Sequence, residues 1–414
     1  MSTSTQGKLS PFSSTEFRAT WLAELLSYFG DQLARVALAI LVFDHTNSAA
    51  LTGLAYALTY VPSVLGALAL SAIADRRPRR SVIILADASR AIVVGAMAIP
   101  GMSLPGLCAL VSVMSFLGGP YKAAQLALLR DILDSKQYPV AMSIRQVTTQ
   151  AAQILGFAGG GFISSVLTPQ VCLVFNSATF FASCSLYLCF VAKRASPGAV
   201  KSAGSVASTT RLLWEEPRRR AIFLTTFLGF FYIAPEAVAA PYVSALGYGK
   251  MWVGALLAST GIGAVVGLWA FHRFVPKDLY AAYLPIMCFT AGLPLIALCI
   301  QGGGIYLAMM AFALSNALWC IQVVISVSTL IELLPDSKRA QGMGVSSAMN
   351  LTAQGLGTAF AGGLSELRSP AFALVFAGTS SIFFALWPGL LWIRADRERL
   401  PDHLLEPVPL DRKV

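Results

Sequence analysis

Charge is scarce in this chain. Only 12% of its 414 residues are Asp, Glu, Lys or Arg, about half the ~25% usual in soluble domains. A soluble protein of this length divides into two or three domains with polar surfaces, and too few charges are present to cover them. With 56% hydrophobic residues, the composition fits an exterior facing lipid, where apolar surface carries no penalty. Histidine is nearly absent: His45, His272 and His403 lie at the ends of apolar runs or in a tail. That excludes an imidazole metal cluster and a histidine proton relay within a membrane. None of the seven cysteines forms a C-x-x-C pair, so they read as small packing residues. There is no phosphate-binding P-loop and no soluble domain, which argues against an enzyme, a primary pump or any bound cofactor.

What the chain has is apolar runs long enough to span a bilayer, for which roughly 20 residues suffice. Candidates lie at about 17–43, 49–74, 81–99, 104–129, 139–165, 170–192, 219–243, 250–272, 279–300, 304–333, 340–364 and 371–393. The fifth and eleventh are the weakest, being rich in Gly, Gln and Thr. Period-two alternation is rare, which disfavours a β-barrel. Residues 1–16 are polar and the first apolar run is too long for a signal core, so the first span reads as a retained anchor.

The basic residues test this count. With the N-terminus inside, 24 of the 30 Lys and Arg fall in inner segments and only Lys250 and Arg368 in outer loops. This asymmetry places both termini in the cytoplasm of a plasma or bacterial inner membrane. The net charge of +10 then faces anionic lipid heads. Nucleic acid is a poor partner, because the basic residues are spread over separate loops. Reporter fusions after residues 80, 205 and 400 should all report cytoplasm; an external signal at 205 would overturn the twelve-span topology.

The longest interior break, 193–218, is rich in Ser, Ala and Gly and basic at both ends. It separates an N-terminal six-helix half (1–192) from a C-terminal one (219–394), leaving a short charged tail (395–414). Within it, 211–220 fits either a short helix on the inner leaflet or the solvated start of the seventh span. Residues 141–162 and 341–364 share a pattern: each follows a basic loop, has a polar middle with Gln153 or Gln354, and ends in a Gly-Gly pair. Their matched positions, fifth and eleventh, indicate an internal repeat.

The loop SAIADRRPRR, 71–80, resembles the signature loop of the major facilitator superfamily, G-x-L-A-D-[RK]-x-G-[RK]-[RK]. Asp75, Arg76, Arg79 and Arg80 match, whereas Ser71 and Pro78 replace glycines. The segments GDQLARVALAILVFDHTNSA (30–49) and DASRA (87–91) resemble bacterial drug-efflux members, including macrolide-efflux and enterobactin-exporter-like proteins. The fifth span looks like an antiporter signature in which Gly156, Gly160 and Gly161 remain and Phe157 replaces the proline. The resemblance implies an all-α polytopic membrane protein, with twelve helices in two six-helix pseudo-repeats around a central cavity. It also implies that the 71–80 loop acts as a cytoplasmic latch beyond its role in orientation. Candidate latch residues are Asp75, Arg76, Arg79, Arg80, Asp87, Arg90 and Asp131.

Charges inside the spans cost roughly 2.5–3.5 kcal/mol each at mid-membrane, so they face a cavity or a partner. Asp31 and Arg35, at i,i+4, can neutralise each other; alternatively Asp31 binds a proton or a cationic substrate. Lys122 and Arg145 are either structural or attract an anionic group. Glu236, in YIAPEAVAAPY, has no cation within four residues. It is either a proton carrier or a carboxylate reaching outer water. The resemblance places spans 1, 4, 7 and 10 around the cavity. Tyr28, Gln146, Gln150, Asn316, Trp319 and Gln322 join the charged residues as substrate-cavity candidates. The reading is a monomeric secondary transporter, with a small-molecule substrate, protons and lipids as partners. It exports a hydrophobic or amphipathic compound by proton antiport; the alternatives are an importer or lipid-handling member of the same fold, or a membrane sensor.

Overall fold

Long apolar sequences satisfy their backbone groups within lipid by coiling into helices, and this chain does so throughout. A computed structural model describes residues 10–194, 206–299 and 304–397, apart from the side chains of 71–76, 277, 337 and 397. The first six spans are α1 (Thr15–Thr46), α2 (Ala49–Arg76), α3 (Arg79–Met97), α4 (Leu104–Ile132), α5 (Gln137–Val166) and α6 (Pro169–Phe190). A short helix follows, α7 (Val206–Glu215). The seventh span is broken into α8 (Pro217–Thr225), a 3-10 turn, α9 (Gly229–Tyr232) and α10 (Ala234–Ala245). Next come α11 (Met251–Phe274), a ninth span made of α12 (Tyr280–Thr290), α13 (Leu293–Ile296) and a 3-10 turn, then α14 (Gly304–Leu333), α15 (Asp336–Leu367) and α16 (Pro370–Arg397). Among the described residues there are no strands. Nine spans among the described residues are long and apolar enough to cross a membrane; α3, α5 and α15, at three of the positions expected to be spans, are richer in charge or amides and fall short of that threshold. The breaks fall beside proline: α10 begins one residue before Pro235, and α13 carries Pro294 in its first turn. Proline removes a donor and crowds the preceding turn.

The segment 211–220 is divided: α7 ends at Glu215, and Pro217 starts the seventh span. In α7, Leu213 is buried while Val206 and Trp214 are exposed, an amphipathic face suited to a lipid surface.

The two sets of six helices meet most closely at the Lys/Arg-poor ends. A Cβ on Gly161 of α5 would lie 2.6 Å from the Cα of Gly254 of α11. One on Gly53 of α2 would lie 2.8 Å from the Cα of Gly362 of α15 and 2.5 Å from the Thr358 carbonyl oxygen. Only glycine permits such backbone approach. Two polar ties reinforce this side. The Glu366 carboxylate accepts from the backbone N–H of Ala49 at 2.6 Å and of Ala50 at 3.3 Å, where an anion suits the start of α2. Lys250 Nζ sits 2.6 Å from Asp44.

On the basic side the ion pairs among the described residues each stay within one set. Arg79 pairs with Asp131 and donates to the Ala127 carbonyl. Arg80 donates to the carbonyls of Tyr187 at 3.0 Å and Leu188 at 2.8 Å. Arg194 holds Glu16 at 2.6 Å. In the second set, Arg218 meets Asp396 at 3.0 Å and lies over the Trp392 ring at 4.6 Å. The halves are therefore clasped on one side and independently braced on the other.

Candidate functional site

Three groups of polar side chains occupy the interior. The first is a charged cavity of about 180 Å³, lined from α1, α3, α4 and α5. Glu24 receives a two-pronged contact from Arg145: Nε donates to Oε2 at 2.5 Å, and Nη2 donates to Oε1. Arg90 is held between two carboxylates. It bonds to Asp87, which also accepts from the Ser183 hydroxyl at 2.6 Å, and it lies 4.0 Å from Asp31. Its guanidinium is sandwiched 4.2 Å from the Tyr121 ring and 4.3 Å from that of Phe180, a favourable setting for a desolvated cation. Lys122 projects into the same cavity, exposed, without a hydrogen bond or ion pair among the described residues. Asp31 Oδ1 is buried and unpartnered.

The second group bridges the two halves. Arg35 of α1 donates to the Tyr60 hydroxyl of α2 at 3.0 Å, and that hydroxyl donates to Glu236 of α10 at 3.1 Å. Arg35 and Glu236 are 4.0 Å apart. The guanidinium also lies 4.7 Å from the Tyr60 ring centroid. The third group is an uncharged cavity of about 210 Å³ between α8, α14 and α15. Its walls mix Thr225, Gln322, Ser346 and Asn350 with Val323, Leu330 and Met343.

Several pairings differ from those the sequence suggested. Asp31 and Arg35 do not neutralise each other; each finds a nearer partner on another helix, Arg90 and Glu236 respectively. Glu236 is not isolated, because helix packing brings it a cation 201 positions away. Asp87 and Arg90 do not join the loop network. They lie eight and eleven residues beyond Arg79, at least ~12 Å deeper along α3; Arg90 lines the charged cavity and Asp87 is buried against it. Arg79 and Asp131 do pair. The side chains of Asp75 and Arg76 fall outside the described residues. Of the cavity candidates, Tyr28, Lys122 and Arg145 line the charged cavity and Gln322 the uncharged one. Asn316 instead ties to the Thr260 carbonyl of α11 at 2.8 Å. Trp319 lies tilted at 45° to Tyr232, ring centroids 6.3 Å apart, while Gln146 and Gln150 line neither cavity. Glu24 escaped the sequence reading although an acid nine residues into an apolar span is the same signal that marked Asp31. Tyr60 gave none, since buried tyrosine is ordinary in such helices.

The Glu24–Arg145 pair makes a stability prediction. Arg145→Met leaves the Glu24 carboxylate unpaired, and should destabilise the protein by about 3–5 kcal/mol, the usual cost of orphaning one partner. Adding Glu24→Gln should recover most of this. Thermal unfolding in detergent, compared across the three variants, checks it; equal loss in the double variant would contradict the pairing.

With this geometry in view, the likeness to known proteins is informative. The family model described as Major Facilitator Superfamily matches residues 20–329. Among curated proteins, none matches in sequence. The fold is similar to that of the POT family transporter PepTSo, at 12% identity with a TM-score of 0.74, covering 93% of this chain and 99% of that one. It is similar to the nucleoside transporter NupG, at 13% identity with a TM-score of 0.69, covering 92% and 100%. A bacterial homolog of the human lysosomal transporter Spinster, in an inward-facing and occupied conformation, matches at 15% identity with a TM-score of 0.71, covering 92% and 96%. The chain is a multi-pass membrane transporter and belongs to the Major Facilitator Superfamily.

Proposed function

We propose that this transporter exports an amphipathic small molecule from the cytoplasm in exchange for protons, with Glu236 as the proton carrier. The observation that carries the reading is the Arg35–Tyr60–Glu236 bridge. It is a titratable contact between the two halves, lying at the boundary that must part when the clasped side opens. At 4.0 Å the attraction of such a pair is on the order of 4 kcal/mol for an effective dielectric of ~20. Reversing a two-state preference from 1:99 to 99:1 takes about 5.5 kcal/mol. One proton on Glu236 thus removes most of what is needed to release the clasp, with the Tyr60 bond supplying part of the rest. The cytoplasmic side is assigned from the distribution of Lys and Arg. Both cavities lie in the basic-side portions of their helices, where a cytoplasmic solute would enter. A charged cavity lined by the first set of helices and a mixed amide, hydroxyl and aliphatic cavity lined by the second suit a molecule with a polar end and a greasy body. Export rests on the resemblance to efflux members.

The test compares cells with and without the gene, loaded with a panel of dyes, antibiotics and siderophores. At least one compound should accumulate less when the chain is present, and a protonophore should abolish the difference. Greater accumulation with the chain would reverse the direction, and insensitivity to the protonophore would remove the proton.

A further inference from the structure

Charges in the first cavity do not all find partners. Glu24 is taken by Arg145, and Asp87 by Arg90 and Ser183. Arg35 is engaged with Tyr60 and Glu236. This leaves Lys122 with no partner among the described residues and Asp31 with only the longer 4.0 Å contact to Arg90 and a buried, unpartnered Oδ1. Lys122 and Asp31 both line this cavity, yet they do not pair. Each exacts a cost of roughly 2.5–3.5 kcal/mol for lying within a membrane, and helices α1 and α4 hold them apart. Opposite charges kept separate in one cavity are complementary to a ligand that carries both signs.

We propose that the transported molecule is an amphipathic zwitterion, its carboxylate held by Lys122 and its ammonium by Asp31, with the apolar body directed toward the uncharged cavity. This rests on the transport reading for its biological meaning, but the binding it describes needs neither a proton gradient nor a direction. A monoanion would leave Asp31 with only the 4.0 Å contact to Arg90 and its Oδ1 still unpartnered, and a monocation would be repelled by Lys122. An uncharged solute would leave both unsatisfied, at a desolvation cost for each.

The test is equilibrium binding to the full-length protein in lipid nanodiscs, followed by calorimetry. The probes are 2-aminooctanoic acid, its methyl ester and its N-acetyl derivative, which share one body and differ by a single charge. The free amino acid should bind about tenfold or more tightly than either derivative, as expected when one buried charge pair is lost. Lys122→Met should erase the advantage over the ester, by weakening the free amino acid and relieving the repulsion of the cationic ester. Asp31→Asn should do the same for the N-acetyl compound, and Lys122→Arg, which keeps the charge, should preserve the preference. Equal binding of the three probes, no binding of any, or equal weakening of all three by Lys122→Met would overturn the proposal. A positive result without any flux in cells would instead count against the transport reading alone.

Discussion

Glu236→Gln should abolish uphill export while leaving downhill movement of the same compound largely intact. The amide keeps the size of the side chain and can still accept from Tyr60, but it cannot release a proton and it cannot attract Arg35. The bridge is then permanently in the condition that a proton would otherwise impose only part of the time, so the clasp no longer responds to the gradient. A coupling contact of this size implies a fall of at least about tenfold in the steady-state concentration ratio, since each 1.4 kcal/mol is a factor of ten. Vesicles loaded by an imposed pH gradient measure the uphill component, and exchange at equal concentrations measures the rest. Loss of both would point to misfolding or a lost binding site. Retention of both would remove Glu236 from the proton path.

The second large effect concerns the clasp itself. Gly161→Leu places a side chain where a Cβ alone would be 2.6 Å from the Cα of Gly254, and backbone cannot yield as a flexible side chain does. Overpacking of this kind costs about 1–3 kcal/mol or more, and here it falls only on the state in which α5 and α11 touch. The population should therefore move toward the state open on the Lys/Arg-poor side, by roughly tenfold to a hundredfold. A cysteine placed at Ser27, in the charged cavity, reports it. Its labelling by a membrane-impermeant thiol reagent from outside should accelerate in the Gly161→Leu background. Unchanged labelling would mean that the Gly161–Gly254 contact does not limit opening.

Much of this architecture was legible from hydropathy because membrane helices advertise themselves. The run predicted at 17–43 became α1, Thr15–Thr46, and that at 219–243 became the span from Pro217 to Ala245. The prolines in YIAPEAVAAPY marked the broken seventh span. The pairings of the site were not legible, for a geometric reason. Spacing along one helix says that Asp31 and Arg35 share a face, yet says nothing of what another helix brings to that face. Helix α3 supplies Arg90 and helix α10 supplies Glu236, and both outcompete the local neighbour. The same blindness hid Tyr60, which is aligned with Arg35 only by the packing of α1 on α2. It also hid Glu366, whose role as an acceptor for the start of α2 depends on the approach of Gly53 to Gly362. Loop charge was more readable: Arg79 meets Asp131, and both were among the latch candidates that the resemblance of the 71–80 loop implied.

The central claim is that proton and substrate movements are coupled through Glu236. Its most direct measurement uses protein reconstituted in liposomes containing a pH-sensitive dye, with whichever panel compound the cellular assay identifies. Adding the compound to vesicles bearing an acid-inside gradient should drive protons out of wild-type vesicles as the compound enters, with no such response for Glu236→Gln. Proton movement of the same size in the variant, or compound entry into wild-type vesicles with no proton movement at all, would contradict the account.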